Sequence, residues 1–188
     1  MLAEKKERVI LGIDPGTAIM GYGIILEKGN KMELLSLGVV KLNQMDDHFV
    51  KLQRIFEKTM GLIENYKPDA LAIEAPFYAK NVQVTLKLGR AQGICMAAAL
   101  SKNIPVTEYA PRKIKQSITG KGTATKEQVA AMLQRLLNFN ETPEFLDATD
   151  GLAVAVCHSF QRIPTGGGKS KSYSGWEAFV TDNKKRIK

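Results

Sequence analysis

The chain is poor in thiols and imidazoles: Cys95 and Cys157 are its only cysteines, and His48 and His158 its only histidines, in 188 residues. Two cysteines, each inside an apolar helical stretch, make neither a disulfide framework nor a zinc site. They fit reduced, buried thiols of a cytosolic protein. Long apolar runs are also missing. The longest, Ile94 to Leu100, falls far short of the roughly 20 residues that cross a bilayer, so no membrane segment is expected. The charged opening, Met1 to Arg8, does not read as a secretion signal, and no internal repeat is present.

Acidic residues are the scarcer charged class. Lys and Arg number 27 against 19 Asp and Glu, a net +8, which makes polyanions the natural partners. A 44% hydrophobic content suits one globular domain with a good core. Against that basic background, the positions of four acids carry information. Val9-Ile10-Leu11-Gly12-Ile13 is a β-branched run typical of a buried strand, and it ends in the turn signature Asp14-Pro15-Gly16-Thr17. Ala70-Leu71-Ala72-Ile73 delivers Glu74 in the same way before Pro76. Asp147 and Asp150, three apart, share one helix face. Each alone reads as a turn former or helix-start residue. Together, four carboxylates in a basic chain gain from clustering only if a cation neutralises them, and hard oxygen donors point to Mg²⁺ or Mn²⁺.

The order of elements predicts an α/β domain. Gly21 to Leu26 reads as a second strand, Gly29-Asn30 as a turn, and Met32 to Leu42 as a third strand, making an antiparallel meander. Phe49, Leu52, Ile55, Phe56, Met60 and Ile63 mark a helix over 47–66; the Glu74 strand, a helix over 82–100 and a short strand over 104–109 follow. The expectation is a mixed sheet, a three-strand meander plus parallel strands, flanked by helices. The last helix enters through Thr142-Pro143 and runs to about Arg162. Gly120 to Lys126 reads as a mobile basic loop, with the Thr125 hydroxyl capping the helix that Lys126 opens. Gly166 to Ser172 is a linker by composition, so residues 1–163 form the domain and 164–188 a flexible basic tail that carries Trp176, Phe179 and Val180.

Five ordered blocks carry a resemblance: Ile10-Leu11-Gly12-Ile13-Asp14-Pro15-Gly16, Ala72-Ile73-Glu74, Ala79-Lys80-Asn81, Lys87-Leu88-Gly89-Arg90-Ala91-Gln92-Gly93, and Asp147-Ala148-Thr149-Asp150-Gly151-Leu152-Ala153. In sequence and spacing they resemble the RuvC family of bacterial Holliday-junction resolvases. The resemblance implies a ribonuclease-H-like fold, a cytoplasmic homodimer, and magnesium-dependent symmetric cleavage of four-way DNA junctions beside a branch-migration complex of RuvA and RuvB. It puts the family's metal-binding acids on Asp14, Glu74, Asp147 and Asp150, with two Mg²⁺ ions per subunit and Mn²⁺ as a substitute. Such a pair, about 3.5–4 Å apart, would activate water, shield the phosphate and stabilise the leaving alkoxide. Lys115 and Lys126 match lysines that act near the scissile phosphate.

By the same resemblance, Phe77 is an aromatic that opens the junction centre by stacking on unpaired bases, with Tyr78 a weaker second. Lys80, Arg112, Lys113 and Lys121 are further expected DNA contacts. Gly89, Gly93 and Ala97 recur every four residues and make a smooth helix face, for packing on the chain's own sheet or, as the family's two-fold arrangement favours, on a second subunit. His158 lies about 12 Å down the helix from Asp150 at 1.5 Å per residue and is not expected as a ligand; His48, at a helix start, reads as a surface or capping residue. Three rivals remain: another ribonuclease-H-like nuclease such as an RNA-processing relative, an actin-like ATPase whose phosphate hairpin shares Gly-Ile-Asp-x-Gly-Thr but which needs two such domains, and an inert junction binder.

Overall fold

A computed structural model of the chain describes residues 7–76, 81–139 and 146–161. Strand β1 (Glu7–Asp14) pairs antiparallel with β2 (Ile19–Lys28), and β2 with β3 (Lys31–Lys41) across the Gly29-Asn30 turn. Gly29 sits at φ 63°, a conformation glycine adopts without strain. Strand β4 (Ala70–Glu74) lies parallel to β1, and β5 (Val106–Tyr109) parallel to β4, so the sheet order is β3-β2-β1-β4-β5. The expected mixed sheet, meander plus parallel strands, is therefore the observed one.

Strand alternation decides the layers. Leu11, Ile13, Leu71 and Ile73 face α1 (His48–Tyr66) and α2 (Val82–Ser101), packing with Ile55, Leu62, Cys95 and Ala98. Ile10, Ile25 and Ala72 face the other way, onto α3 (Pro111–Thr119), α4 (Lys126–Leu137) and α5 (Leu146–Phe160), with Ile114, Leu133, Leu152 and Val156. Ile10, Leu11, Ile13, Leu71 and Ile73 are wholly buried, each worth about 1.5–3 kcal/mol relative to exposure. Both cysteines are free and buried, as expected. Among the described residues no helix is long and apolar enough to cross a membrane.

Three local readings change. The helix start after residue 46 is capped by Asp47, whose carboxylate accepts from the Val50 amide, so His48 is not the cap; it is half-buried with its ring against Phe49. Helix α3 appears where the sequence offered only three basic residues, Arg112, Lys113 and Lys115, and no helix was expected. It begins at Pro111, is closed by Gly120 at φ 76°, and anchors through Ile114 and Ile118 alone. The segment 120–126, expected to be mobile, is a pinned turn: Thr119 Oγ1 bonds Lys121 on both backbone groups, Ala124 is buried, and a Cβ on Gly122 would meet Arg112 Cγ at 2.5 Å. Thr125 caps α4 as expected, in a reciprocal capping box with Gln128. Thr142-Pro143, Arg162 and the 164–188 tail with Trp176 lie outside the described residues.

Candidate active site

The site is assembled where three elements end together. β1 and β4 are in register up to Ile13 and Ile73, which sets Asp14 and Glu74 side by side one residue beyond the last pair. Alternation turns both toward the face that carries α5, the same face as Gly12 and Ala72. Helix α5 is seated on glycine: its backbone at Asp147, Gly151 and Leu152 lies directly over Gly21 and Gly23 of β2. Because Gly21 pairs with Asp14, the first turn of α5 is brought above the end of β1. Asp14, Glu74 and Asp150, with Pro15, Pro76, Lys115 and Lys126, line a cleft of about 330 Å³. Asp147 joins through Lys126, whose Nζ donates to Asp147 Oδ1 at 3.0 Å and to Asp150 Oδ2 at 2.6 Å.

The electrostatics are those of crowded carboxylates. Burial, and next the Asp150 carboxylate, push Asp14 up to about 6. Burial, then Asp14 and Asp150, push Glu74 up to about 8. Asp150 is also raised, chiefly by burial, although its hydrogen bond from Lys126 opposes the shift. Burial pulls the Lys126 ammonium down, but the hydrogen bonds to Asp150 and Asp147 outweigh it and its pKa is raised. Lys115 lowers both Glu74 and Asp150 electrostatically.

A hard divalent cation fits this donor set. Four carboxylates supply only hard oxygens, burial and their mutual repulsion raise three of them above the ordinary carboxylate range, and the ammonium bridging Asp147 and Asp150 shows where positive charge is accepted. Among the described residues no three ligating side chains stand close enough together to hold an ion as they are. Lys126 holds Asp147 and Asp150, and its charge also favours the ionised forms of Asp14 and Glu74.

These shifts fix a sign. A carboxyl raised in the folded state contributes stability at low pH that is lost as pH rises through its folded pKa. In metal-free buffer the melting temperature should therefore fall as pH rises from about 4 to about 8, the part above pH 6 belonging chiefly to Glu74. Mg²⁺ should restore more at pH 9 than at pH 6. Glu74→Gln should melt above wild type at pH 9 without metal and show a flattened slope. Thermal denaturation at the two pH values, with chelator or Mg²⁺, reads all three; a metal-free wild type that melts higher at pH 9 than at pH 6 contradicts the assignment.

The other expected site residues divide. Arg112 and Lys113 are exposed on α3 and Lys121 on the turn after it, none of them lining the cleft; Lys113 acts electrostatically on Cys157 instead. Phe77, Tyr78 and Lys80 lie outside the described residues. His158 is remote, its Nδ1 2.9 Å from Tyr109 Oη and its pKa lowered by burial, in keeping with its expected exclusion as a ligand. On α2, a Cβ at Gly89 or Gly93 would meet nothing within 4 Å, so that glycine face does not pack on the chain's own sheet. It continues into an exposed stripe with Leu86 and Leu100. Two features escaped the sequence reading: the glycine seat under α5 and Gln92, whose amide reaches the Glu74 backbone. The only sequence signal for Gln92 was an amide on the inward, otherwise small and apolar face of its helix.

The family model described as crossover junction endodeoxyribonuclease RuvC matches residues 10–158. The chain is 58% identical over 184 residues to the RuvC crossover junction endodeoxyribonuclease of Christiangramia forsetii, covering 98% of this chain and 95% of that one. It is 54% identical to that of Bacteroides fragilis over the whole of both chains. Thermus thermophilus RuvC, solved in complex with a Holliday junction substrate, superposes with a TM-score of 0.75 at 34% identity, covering 81% of this chain and 93% of the other. The yeast mitochondrial Holliday junction resolvase shares the fold, with a TM-score of 0.58 at 18% identity over 79% of this chain and 76% of its own.

Proposed function

The chain belongs to the RuvC family of crossover junction endodeoxyribonucleases, and on that premise we propose that it resolves Holliday junctions by magnesium-dependent hydrolysis of DNA phosphodiesters during recombination and repair. The observation that carries this reading is the meeting of strand-end and helix carboxylates with Lys115 and Lys126 around one cleft. Asp14, Glu74, Asp147 and Asp150 would hold two Mg²⁺ ions per subunit, for which Mn²⁺ can substitute. Bound there, the ions supply a nucleophilic water and neutralise charge on the phosphate and the leaving oxygen.

The residues themselves do the positioning. Asp14 and Glu74 are held by the two adjacent central strands, so their separation follows from strand spacing and their directions from the pleat. Lys126 opens α4, and the N-terminus of that helix adds donors and a positive dipole end for a phosphate. Lys126, which bonds Asp147 and Asp150, lines the same cleft as Lys115, and with those carboxylates holding metal its ammonium would be free to meet a phosphate there. Arg112, Lys113 and Lys121 extend the basic surface for the arms of the junction, Lys80 is a further DNA contact, and Phe77, with Tyr78, stacks on bases exposed at the crossover. The open Gly89 and Gly93 face of α2, with Leu86 and Leu100, is the surface for a second subunit, since paired incisions need two sites related by a dyad. The chain acts in the cytoplasm beside a branch-migration motor.

A competition binding series tests recognition. Affinity for a four-way junction should fall steeply between about 50 and 200 mM salt, as condensed counterions are released from the contacted phosphates. Preference for the junction over linear duplex should persist through the series. Equal affinity for both at moderate salt would count against the reading.

A further inference from the structure

We infer that Gln92 is a positioning residue for the cleavage reaction: its amide, reaching from α2, holds the backbone carbonyl of Glu74 and thereby fixes the Glu74 carboxylate at the cleft. The inference rests on the nuclease reading and concerns a residue that never touches the reacting atoms. Gln92 is only 7% exposed. Its inward neighbours on the helix, Ala91, Cys95, Ala98 and Ala99, are small and buried, so an amide there costs desolvation unless it is bonded. Nε2 donates to Glu74 O at 3.3 Å and to Glu108 Oε2 at 3.2 Å.

The need for that donor comes from the sheet. Pairing of β4 with β1 stops at Ile13 and Ile73, one residue short of Glu74. On the other side, Glu74 pairs with Tyr109 and the Ala75 amide donates to Tyr109 O. Glu74 thus stands at the last position of its strand with its carbonyl taken up by a helix rather than by the β1 ladder. Rotation of that peptide would swing the Glu74 side chain, and a displacement of about 1 Å at a reacting centre can cost about 10²-fold in rate. Helix α2 also carries the open glycine face, about a quarter turn round from Gln92, so Gln92 links the proposed subunit surface to the carboxylate by one side chain.

The test uses the full chain with Gln92→Met, which keeps volume and removes the donor. Cleavage of a saturating four-way junction at saturating Mg²⁺ should slow about tenfold or more, and the Mn²⁺ dissociation constant, read from the EPR signal of free Mn²⁺, should rise about fivefold. Junction Kd and melting temperature should stay near wild type. Glu108→Ala, which removes the second acceptor and leaves the Glu74 bond, should cleave and bind Mn²⁺ like wild type. If Gln92→Met does not fold, Gln92→Asn withdraws the amide by one methylene and carries the same expectation. Wild-type cleavage and Mn²⁺ binding by the folded variant overturn the inference, as does a Glu108→Ala that reproduces the Gln92→Met loss. A wild-type protein that leaves the junction uncut defeats the nuclease reading instead, and the Mn²⁺ comparison still decides the role of Gln92.

Discussion

Asp14→Asn is expected to slow junction cleavage by at least about 10³-fold, roughly 4 kcal/mol of transition-state stabilisation, while junction affinity changes by no more than a few fold. The asparagine keeps the shape of the side chain and its place at the end of β1 but removes the charge a cation needs. Asp14, like Asp150, is electrostatically coupled to all three of the other acids. Glu74→Gln, Asp147→Asn and Asp150→Asn should behave in the same way, because the donor set acts as a unit and losses at one member are not made up by the others. Asp147→Asn and Asp150→Asn also weaken one of the two bonds that hold Lys126. Single-turnover cleavage paired with a binding measurement in Ca²⁺ separates the two effects. A variant that keeps near-normal turnover at millimolar Mg²⁺ removes its residue from the site.

Adding a single methyl group under α5 should do comparable damage through the fold. A Cβ at Gly21 would stand 1.9 Å from the Asp147 carbonyl oxygen, one at Gly12 would stand 2.3 Å from Gly151 O, and one at Gly23 would stand 2.3 Å from the Leu152 Cα. Each obstacle is backbone or Cα, which cannot rotate away, so the helix must lift. Gly21→Ala or Gly12→Ala is expected to cost about 3 kcal/mol or more, a fall of roughly 6–12 °C in melting temperature, and to uncouple Asp147 and Asp150 from the strand-end acids. Gly61→Ala gives the opposite sign. It lies inside α1 with open space around it, so the methyl group raises helix propensity and should stabilise by about 0.5–1 kcal/mol. Thermal melts of the three variants decide this, and a Gly21→Ala protein as stable as wild type would mean that the helix is not seated as described.

The strands bearing Asp14 and Glu74 were legible because each is a short β-branched or apolar run that stops at a turn residue, a signal local to five or six positions. The Gly29-Asn30 turn and the Thr125 cap were legible for the same reason. Helix α3 was not, since only Ile114 and Ile118 of its nine residues are buried and the rest read as a basic cluster. Nor was the meeting of Lys126 with Asp147 and Asp150, 21 and 24 residues away, because long-range pairing leaves no periodicity. Gly21 and Gly23 looked like ordinary strand residues; their purpose shows only once α5 lies across them. The turn over 120–126 was misjudged because glycine content suggested freedom, whereas Thr119 and Arg112 hold it from outside the run.

The central claim, a metal-dependent junction nuclease built on Asp14, Glu74, Asp147 and Asp150, is tested most directly by one gel. A synthetic four-way junction, a linear duplex and an RNA–DNA hybrid are each incubated with the wild-type protein, with and without Mg²⁺. The account predicts paired, symmetric nicks in the junction only, and only with Mg²⁺. Cutting of the hybrid or duplex at the same rate as the junction, or junction cleavage undiminished in chelator, would contradict it.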